Sequence, residues 1–473
     1  MANAVIKVCE SKDASWNKMF SDKEQTLFPS KFETQMRKFP ERVVLENKGY
    51  EGAGSTFSCK LDKGNYLGNI IFEAEFPALR HKNEPMQIPP INKADTPAEC
   101  KQKLVNAGVE ESSSYIEEES SSSSASSDDF AVYNTELLYI FLKHATIKFN
   151  QQSKWTDKGE RHAILDRVKG NVGKNDRAVG RYPSIEAQRK LSRRVQKLRL
   201  ALDTWFKDGK RHLPLLYLRG DKKPTVSLEI ATEDLQRLYQ TSDQTVPYLL
   251  HSDKALEPKD IKVKVTAEIF YVSKENSERL LSKSALLPEP IMMRQPHYFW
   301  KKVDSKTTRG RKEVSFTLQS DGPILDVMWY VISDEHVNAK CYFNTEGIAD
   351  VDGGVIDYMC PIMNTTINID DEVTEKEIDG SFFSGWTVDN EFGHANRGNS
   401  IFYHSWNHAD SNSMSGSIPP NTPVTFTHVL DPHLGDCTIY GVFHTSEVAS
   451  FSPKGASFFR KTSSTPDNSI KQK

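Results

Sequence analysis

The 473-residue chain reads as an all-β protein built from two antiparallel sandwiches in tandem. Three observations carry that reading. Aromatic and β-branched residues gather in short runs with a period of two, the signature of half-buried strands. Pro, Gly, Asn and Asp break those runs at frequent intervals. The style of the first half, short strands joined by long variable loops, returns in the second. No fixed period of about 20–50 residues accompanies it, so domain duplication is expected rather than a solenoid. The length also favours two or more domains.

Ser55–Leu61 (STFSCKL) and Gly68–Phe76 (GNIIFEAEF) are predicted strands joined by a turn at Asp62-Lys63-Gly64-Asn65. Ile70, Phe72, Ala74 and Phe76 share a face of the second, and Pro77 ends its pairing because proline lacks the N–H a ladder needs. Residues 80–129 change character. Pro85, Pro89, Pro90 and Pro97 lead into Glu110–Asp129, which is nearly all Ser and acid. Such a segment cannot bury enough apolar surface to offset its ordering entropy. It reads as a mobile, solvent-exposed loop, with a phosphorylated acidic interaction segment as the alternative.

Tyr133–Asn150 (YNTELLYIFLKHATIKFN) begins as a short helix and ends as a strand. Residues 156–192 are polar and basic, with a helix at PSIEAQRKLSRRV. Lys190, Arg193, Arg194, Lys197 and Arg199 cluster there. With no aromatic platform among them, a solvated face or an interface with acidic neighbours is expected rather than a nucleic-acid site. Val195–Phe206 fits helix or strand by spacing, and the turn at Asp208-Gly209 with Pro214 beyond it favours a strand ending in a loop. Thr225–Ala231 is a strand and Glu233–Gln240 a helical turn. In Asp260–Leu281, Val263, Val265, Ala267, Ile269 and Tyr271 alternate with Lys262, Lys264, Thr266 and Glu268 as a two-faced strand. The pattern breaks at Ser273, and a short helical turn follows from Ser277. Strands are predicted next at Glu313–Leu318, Ile324–Ile332, Ala339–Asn344, Val424–Leu430 and Cys437–Phe451.

Composition excludes several classes. A net charge of −3 gives no general pull toward nucleic acid or anionic membrane. No run of about 18 apolar residues would span a bilayer, and MANAVIKVCESKDASW lacks the order of a secretory signal. Cys9, Cys59, Cys100, Cys341, Cys360 and Cys437 form no CxxC pair, so free thiols are expected. Outside the secretory route, the sequon Asn364-Thr365-Thr366 is a chance match. Phosphate-binding loops and GxSxG are absent from the sequence. His404 and His408 are four apart, but the surrounding turn-rich segment has no helix to present both to a metal. His428, His433 and His444 fall on separate segments. Asp350–Asp357 (DVDGGVID) lacks calcium-loop spacing and reads as a turn, and Asp370-Asp371-Glu372 sits in a solvated run. No nucleophile, base and orienting group assemble by spacing. No catalytic, cofactor or metal residue is assigned.

Taken in order, residues 30–460 resemble the double jelly-roll major capsid proteins of nucleocytoplasmic large DNA viruses and related double jelly-roll viruses. KLDKGNYLGNIIFEAEFPAL (Lys60–Leu79) is similar to the family's early strand pair with its LPAL-like stop. Tyr133–Asn150 follows the layout of its Y-N segment, with Asn150 where Gly is usual. Leu200–Leu218 resembles the stretch closing the first domain, Glu278-Arg279 its Glu-Arg pair, and Val314–Ile332 its strand–turn–strand with Gly322-Pro323 in the turn. Ser415–Phe458 resembles the closing strands, with Ser417–Pro420 (SIPP) in place of NFSR.

The resemblance implies two tandem eight-stranded antiparallel jelly rolls with short helices and long loops. They would divide as an N-terminal arm (1–29), a first roll (30–213, holding the acidic loop 110–129), a second roll (214–461) and a tail (462–473). Thr225–Ala231 would open the second roll, and the strand from Asp260 would be one of its walls. The implied function is structural and non-enzymatic: a homotrimer forming pseudo-hexameric capsomers of an icosahedral shell, in a virion assembled in host cytoplasm. Implied partners are other copies, minor capsid and penton proteins, and internal membrane proteins, with no direct nucleic-acid contact and no cofactor. The arm, with Trp16, Met19 and Phe20, would run beneath the shell. The alternative is a tandem jelly-roll protein that binds glycans or hydrolyses glycans or amides, in which Trp386 and Trp406 would offer sugar-stacking faces.

Overall fold

A computed structural model describes residues 39–86, 129–150, 152–169, 176–182, 184–206, 212–218, 225–282, 289–303, 312–338, 340, 342–343, 347–351, 354–358, 360–392, 400–406, 417–431, 434–452 and 455–458. The proposed arm, the tail and residues 110–128 of the acidic loop lie outside that set.

The first part of the chain supplies β1 (Phe39–Leu45), β2 (Thr56–Lys60), β3 (Tyr66–Phe76), β4 (Leu79–Arg80) and β5 (Ala131–Tyr133). After helix α1 (Leu137–Phe141) come β6 (Leu142–Phe149) and β7 (Gln152–Asp157). Helices α2 (Gly159–Val168), α3 (Asp176–Val179) and α4 (Ile185–Ser192) precede β8 (Gln196–Ala201). Then follow β9 (Val226–Thr232), β10 (Tyr239–Thr241), β11 (Tyr248–Leu249), β12 (Lys262–Tyr271) and helix α5 (Lys274–Ser282). Two four-stranded antiparallel sheets, β1-β12-β3-β8 and β2-β9-β6-β7, face each other. Between them lies a core that includes Phe72, Phe76, Phe141, Ile147, Leu228, Ile230, Val265 and Ile269.

The second part supplies β13 (Glu289–Val303), β14 (Lys312–Leu318), β15 (Ile324–Ser333), helix α6 (Asp334–Asn338), β16 (Gly347–Val351), β17 (Gly354–Tyr358), β18 (Ile362–Ile369) and β19 (Glu372–Asp379). A π-helical turn (Phe382–Trp386) and helix α7 (Thr387–Phe392) lead to β20 (Ile401–Ser405), β21 (Val424–Leu430), β22 (Cys437–Ser452) and β23 (Gly455–Phe458). The sheets are β13-β22-β15-β20, with β23 on β22, and β14-β21-β18-β19. Trp329 is fully buried between them, with Phe383, Phe402, Phe426 and His428 around it.

Counting only the wall strands of each sandwich, both have the same connectivity. One sheet holds the first, eighth, third and sixth strands, and the other the second, seventh, fourth and fifth. That double Greek key is the jelly roll, and here it occurs twice.

Two expectations are corrected. The boundary placed between residues 213 and 214 cuts through the first sandwich. β9 pairs with β2 and β6, and β12 lies between β1 and β3. A jelly roll closes only when its seventh and eighth strands return beside its second and first. The opening strand of the supposed second roll and the wall strand from Asp260 therefore belong to the first. In addition, β2 and β3 are not a hairpin. They lie in opposite sheets, and the turn between them crosses the sandwich.

Local signals hold more closely. In β12, Val265, Ala267 and Ile269 are buried and Val263 half-buried, but Tyr271 at the rim is exposed. The strand expected at Ala339–Asn344 is not seen among its described residues: Lys340, Tyr342 and Phe343 lie in turns, and Phe343 is buried against the first-roll core. The β18–β19 turn holds Asp370 and Asp371 at φ 50° and 65°, left-handed at both central positions of a two-residue hairpin. β19 is an edge strand, with register shifts against β18 around Ile367 and with Glu377 at φ 49°. Asn150 has φ 48°, and its Oδ1 accepts the Thr225 N–H at 2.8 Å. Asparagine tolerates the left-handed region better than other side chains, which explains how it occupies a position where glycine is usual in the family it resembles. Asn150→Val is expected to cost about 1–2 kcal/mol and Asn150→Gly to leave stability near wild type, as read by urea denaturation.

Candidate functional site

The most elaborate constellation is the seam between the rolls, and helix α2 builds it. Gly159 opens the helix. A Cβ there would stand 2.0 Å from the Tyr139 carbonyl oxygen, so only glycine lets α2 approach α1 this closely. Ile164 and Val168 pack into one cluster with Met328, Tyr330, Ile332 and Val442 on the outer face of the second roll's β15–β22 pair. All ten residues of β15 are buried as a result. The equivalent strand of the first roll, β3, alternates between buried and half-buried positions along most of its length.

The polar side of α2 is buried too. Arg161 donates to both oxygens of Asp157 at 3.1 Å and to Asp203 at 2.8 Å. His162 Nε2 stands 2.8 Å from Asp157. From the second roll, the Tyr298 hydroxyl donates to Asp157 at 3.0 Å and accepts the Lys158 N–H at 3.0 Å. The Lys158 ammonium lies 4.5 Å over the Tyr298 ring. Gln295 donates to the Lys154 carbonyl at 2.7 Å and to Glu447 at 2.6 Å, and Tyr330 donates to Glu160. Behind them Asp326 accepts from Arg294 and lies 2.6 Å from His444 Nδ1. Burial alone would push the Asp157 carboxyl up, but Arg161 and His162 outweigh it and hold it at about 2. Asp326 is likewise lowered, with Arg294 and His444 overcoming burial. Buried ions that satisfy one another in this way fix one geometry, because removing either partner strands the other.

A cleft of about 470 Å³ opens along the seam, lined by His144, Glu160, Glu233 and Arg237 from the first roll and by Ile332 and Tyr440 from the second. Its acids are engaged: Glu233 by Arg237 at 3.0 Å and Lys143 at 3.7 Å, Glu160 by Tyr330.

The histidines singled out by sequence are not brought together. His404 packs edge-on against Phe383 and Trp406. His428 lies in the second-roll core with Nδ1 2.9 Å from Thr365 Oγ1, and His444 lies in the seam. His408 and His433 are outside the described residues. The Asp350–Asp357 stretch forms the β16–β17 hairpin, with residues 352–353 outside the described set. Among the described residues no three His, Cys, Asp or Glu side chains are placed to hold a metal, and no helix is long and apolar enough to cross a membrane. Cys59, Cys360 and Cys437 are not joined in disulfides, and Cys341 lies outside the described residues. Trp406 packs against the second core, whereas Trp386 is 62% exposed and stacks on Phe382. Glu278 is exposed, 3.9 Å from Lys274. The basic cluster meets acidic neighbours of its own chain: Arg193 pairs with Glu84, Lys197 with Glu75 and Arg199 with Glu73.

Sequence reading missed α2 and the ionic seam. The apolar residues of α2 do not form one stripe, because this helix is buried on several sides and carries Arg161, His162 and Asp166 inside. One signal was available. The apolar run Val327–Ile332 in β15 indicates a strand covered on both faces.

No protein-family model and no curated protein matches the sequence. Solved structures do match the fold. The chain is similar to the capsid protein in the quasi-atomic model of the PBCV-1 virus capsid, with 11% identity, a TM-score of 0.61, and coverage of 92% of this chain and 100% of that one. It is similar to the Faustovirus major capsid protein, with 7% identity, a TM-score of 0.62, and coverage of 96% and 99%. It also matches a chain of the Sputnik virophage structure at 9% identity and a TM-score of 0.51, covering 94% and 92%. The fold is that of the double jelly-roll major capsid proteins.

Truncating Ile164 to Ala is expected to cost about 2–5 kcal/mol in chemical denaturation, as for other fully buried aliphatics. Burial pushes His428 down to about 3 from an ordinary 6.5, and lowers His444 against an opposing pull from Asp326. Below pH 6.5 the unfolded chain takes up protons that these native imidazoles refuse, so stability is full above that value and declines as pH falls. The depressed carboxylates act only below their ordinary 3.8. Denaturation midpoints should therefore drop between about pH 7 and pH 5, and His428→Gln should flatten part of that slope.

Proposed function

We propose that the chain is a major capsid protein, a structural subunit whose homotrimer presents six jelly rolls and tiles an icosahedral shell as a pseudo-hexameric capsomer. One observation carries this reading. The match to capsid proteins runs nearly end to end in both chains, and coverage of that extent includes both rolls. Two similar rolls locked by buried ions make a rigid double block, and three such blocks related by a threefold axis approximate a hexagon. The described histidines among those singled out by sequence, His404, His428 and His444, lie in separate packing environments, which supports a structural role over hydrolysis. Minor capsid and penton proteins, and internal membrane proteins, are the partners such a subunit takes. The virion shell is its location, after assembly in host cytoplasm, with no direct contact to nucleic acid.

Light scattering after size exclusion tests the reading. A particle near three times 53.6 kDa, seen as a hexagonal outline by negative-stain electron microscopy, is the expected result. A monomer at every concentration, with a melting shift on adding oligosaccharides, would overturn it.

A further inference from the structure

We propose that the outer face of the β1-β12-β3-β8 sheet receives a second copy of this chain, which lays its π-helical turn and helix α7 (Phe382–Phe392) across it. The inference rests on the capsomer reading and deepens it by naming the two surfaces that meet.

The first support is internal repetition. In both rolls the connection between the fifth and sixth wall strands is helical: α2 to α4 in the first, the π-helical turn and α7 in the second. Within one chain, α2 of the first roll's connection covers the β15 and β22 part of the second roll's outer sheet face, beside Val388 of α7 over β20. Among the described residues, nothing covers the corresponding face of the first roll. Lys262, Lys197 and Arg199 on it are 76%, 71% and 68% exposed. Repeating the seam once more places the second roll's helical connection on the first roll of another copy.

The second support is chemical. Across the uncovered face runs the cross-strand row Val44–Thr266–Ile71–Ala201, with Val44 55% exposed. Beside it lie the rows Lys264–Glu73–Arg199 and Lys262–Glu75–Lys197, which set four cations against two carboxylates. The incoming element is complementary. Trp386 and Phe382 are 62% and 37% exposed and stacked 5.2 Å apart. Asp379, Asp389 and Glu391 flank them, and no lysine or arginine occurs from Asp379 to Phe392. An indole set over lysine or arginine beside an apolar row adds cation–π attraction to burial. The contact joins two different surfaces, so it propagates head to tail, and the threefold axis of the capsomer closes it into a ring.

That asymmetry supplies the test. Trp386→Glu removes only the donor element and Val44→Glu only the receiving face. Each variant alone is expected to keep the wild-type far-UV circular dichroism spectrum and to fall from three chains to one in light scattering. Mixed in equal amounts they should form a species of two chains and no larger, because one intact donor meets one intact face. If Val44→Glu does not fold, Lys262→Glu with Lys264→Glu takes its place. Variants that stay trimeric, or a mixture that stays monomeric, would overturn this contact while leaving the capsomer reading intact. A wild-type chain that is monomeric throughout would sink both.

Discussion

A sheet with two apolar faces has to be covered twice, and β15 is such a strand. Its ten residues are buried along their whole length, with Trp329 and Val331 turned to the second-roll core and Met328, Tyr330 and Ile332 turned outward. Left open, that outer face would expose a contiguous apolar patch of the kind soluble proteins rarely tolerate. Helix α2, which belongs to the other roll, closes it together with Val388 of α7. The rest of the seam follows from this one covering. Gly159 brings the helix against α1, and Asp157 anchors Arg161, His162 and Tyr298. Asp326, on β15 itself, takes Arg294 and His444. The second roll therefore depends on the first for a complete hydrophobic surface.

The dependence is not mutual. In the first roll the matching outer face carries Glu73 and Glu75 between lysines and arginines, a ladder of cross-strand pairs suited to water or to a charged neighbour. Two rolls with identical strand order thus differ in the faces they turn outward, one apolar and covered, the other ionic and, among the described residues, open. The topology is shared, and side-chain chemistry on the outer faces separates the roles.

Much of the fold was legible where periodicity is strong. Ile70, Phe72, Ala74 and Phe76 identified β3, and the alternation from Lys262 identified β12. Ser184 before Ile185 began α4 as a capping residue should, accepting the Ala187 N–H at 3.2 Å. Which roll a strand joins was not legible, because a strand's own pattern records that it is half-buried and not which partners bury it. That is why β9 and β12 were assigned to the wrong roll. β18 and β19 escaped because Thr, Asn, Glu and Lys dominate them and the register slips around Ile367. The seam escaped for a related reason. Asp157, Arg161 and His444 look like surface residues in sequence and become interior only when two separately encoded rolls meet over them.

The irregular hairpin of β18 and β19 bears on how copies can live at close quarters. β19 ends its sheet, and an edge strand's open N–H and C=O groups are a template onto which another chain can polymerise. Here the slipped register and the left-handed Glu377 bend the edge, and Asp370, Asp371, Glu372, Glu375 and Asp379 repel an identical edge brought alongside. At the crowding under which subunits gather, strand-by-strand growth toward fibres is disfavoured on this side. Association is left to whole faces, which can close on themselves, rather than to edges, which cannot.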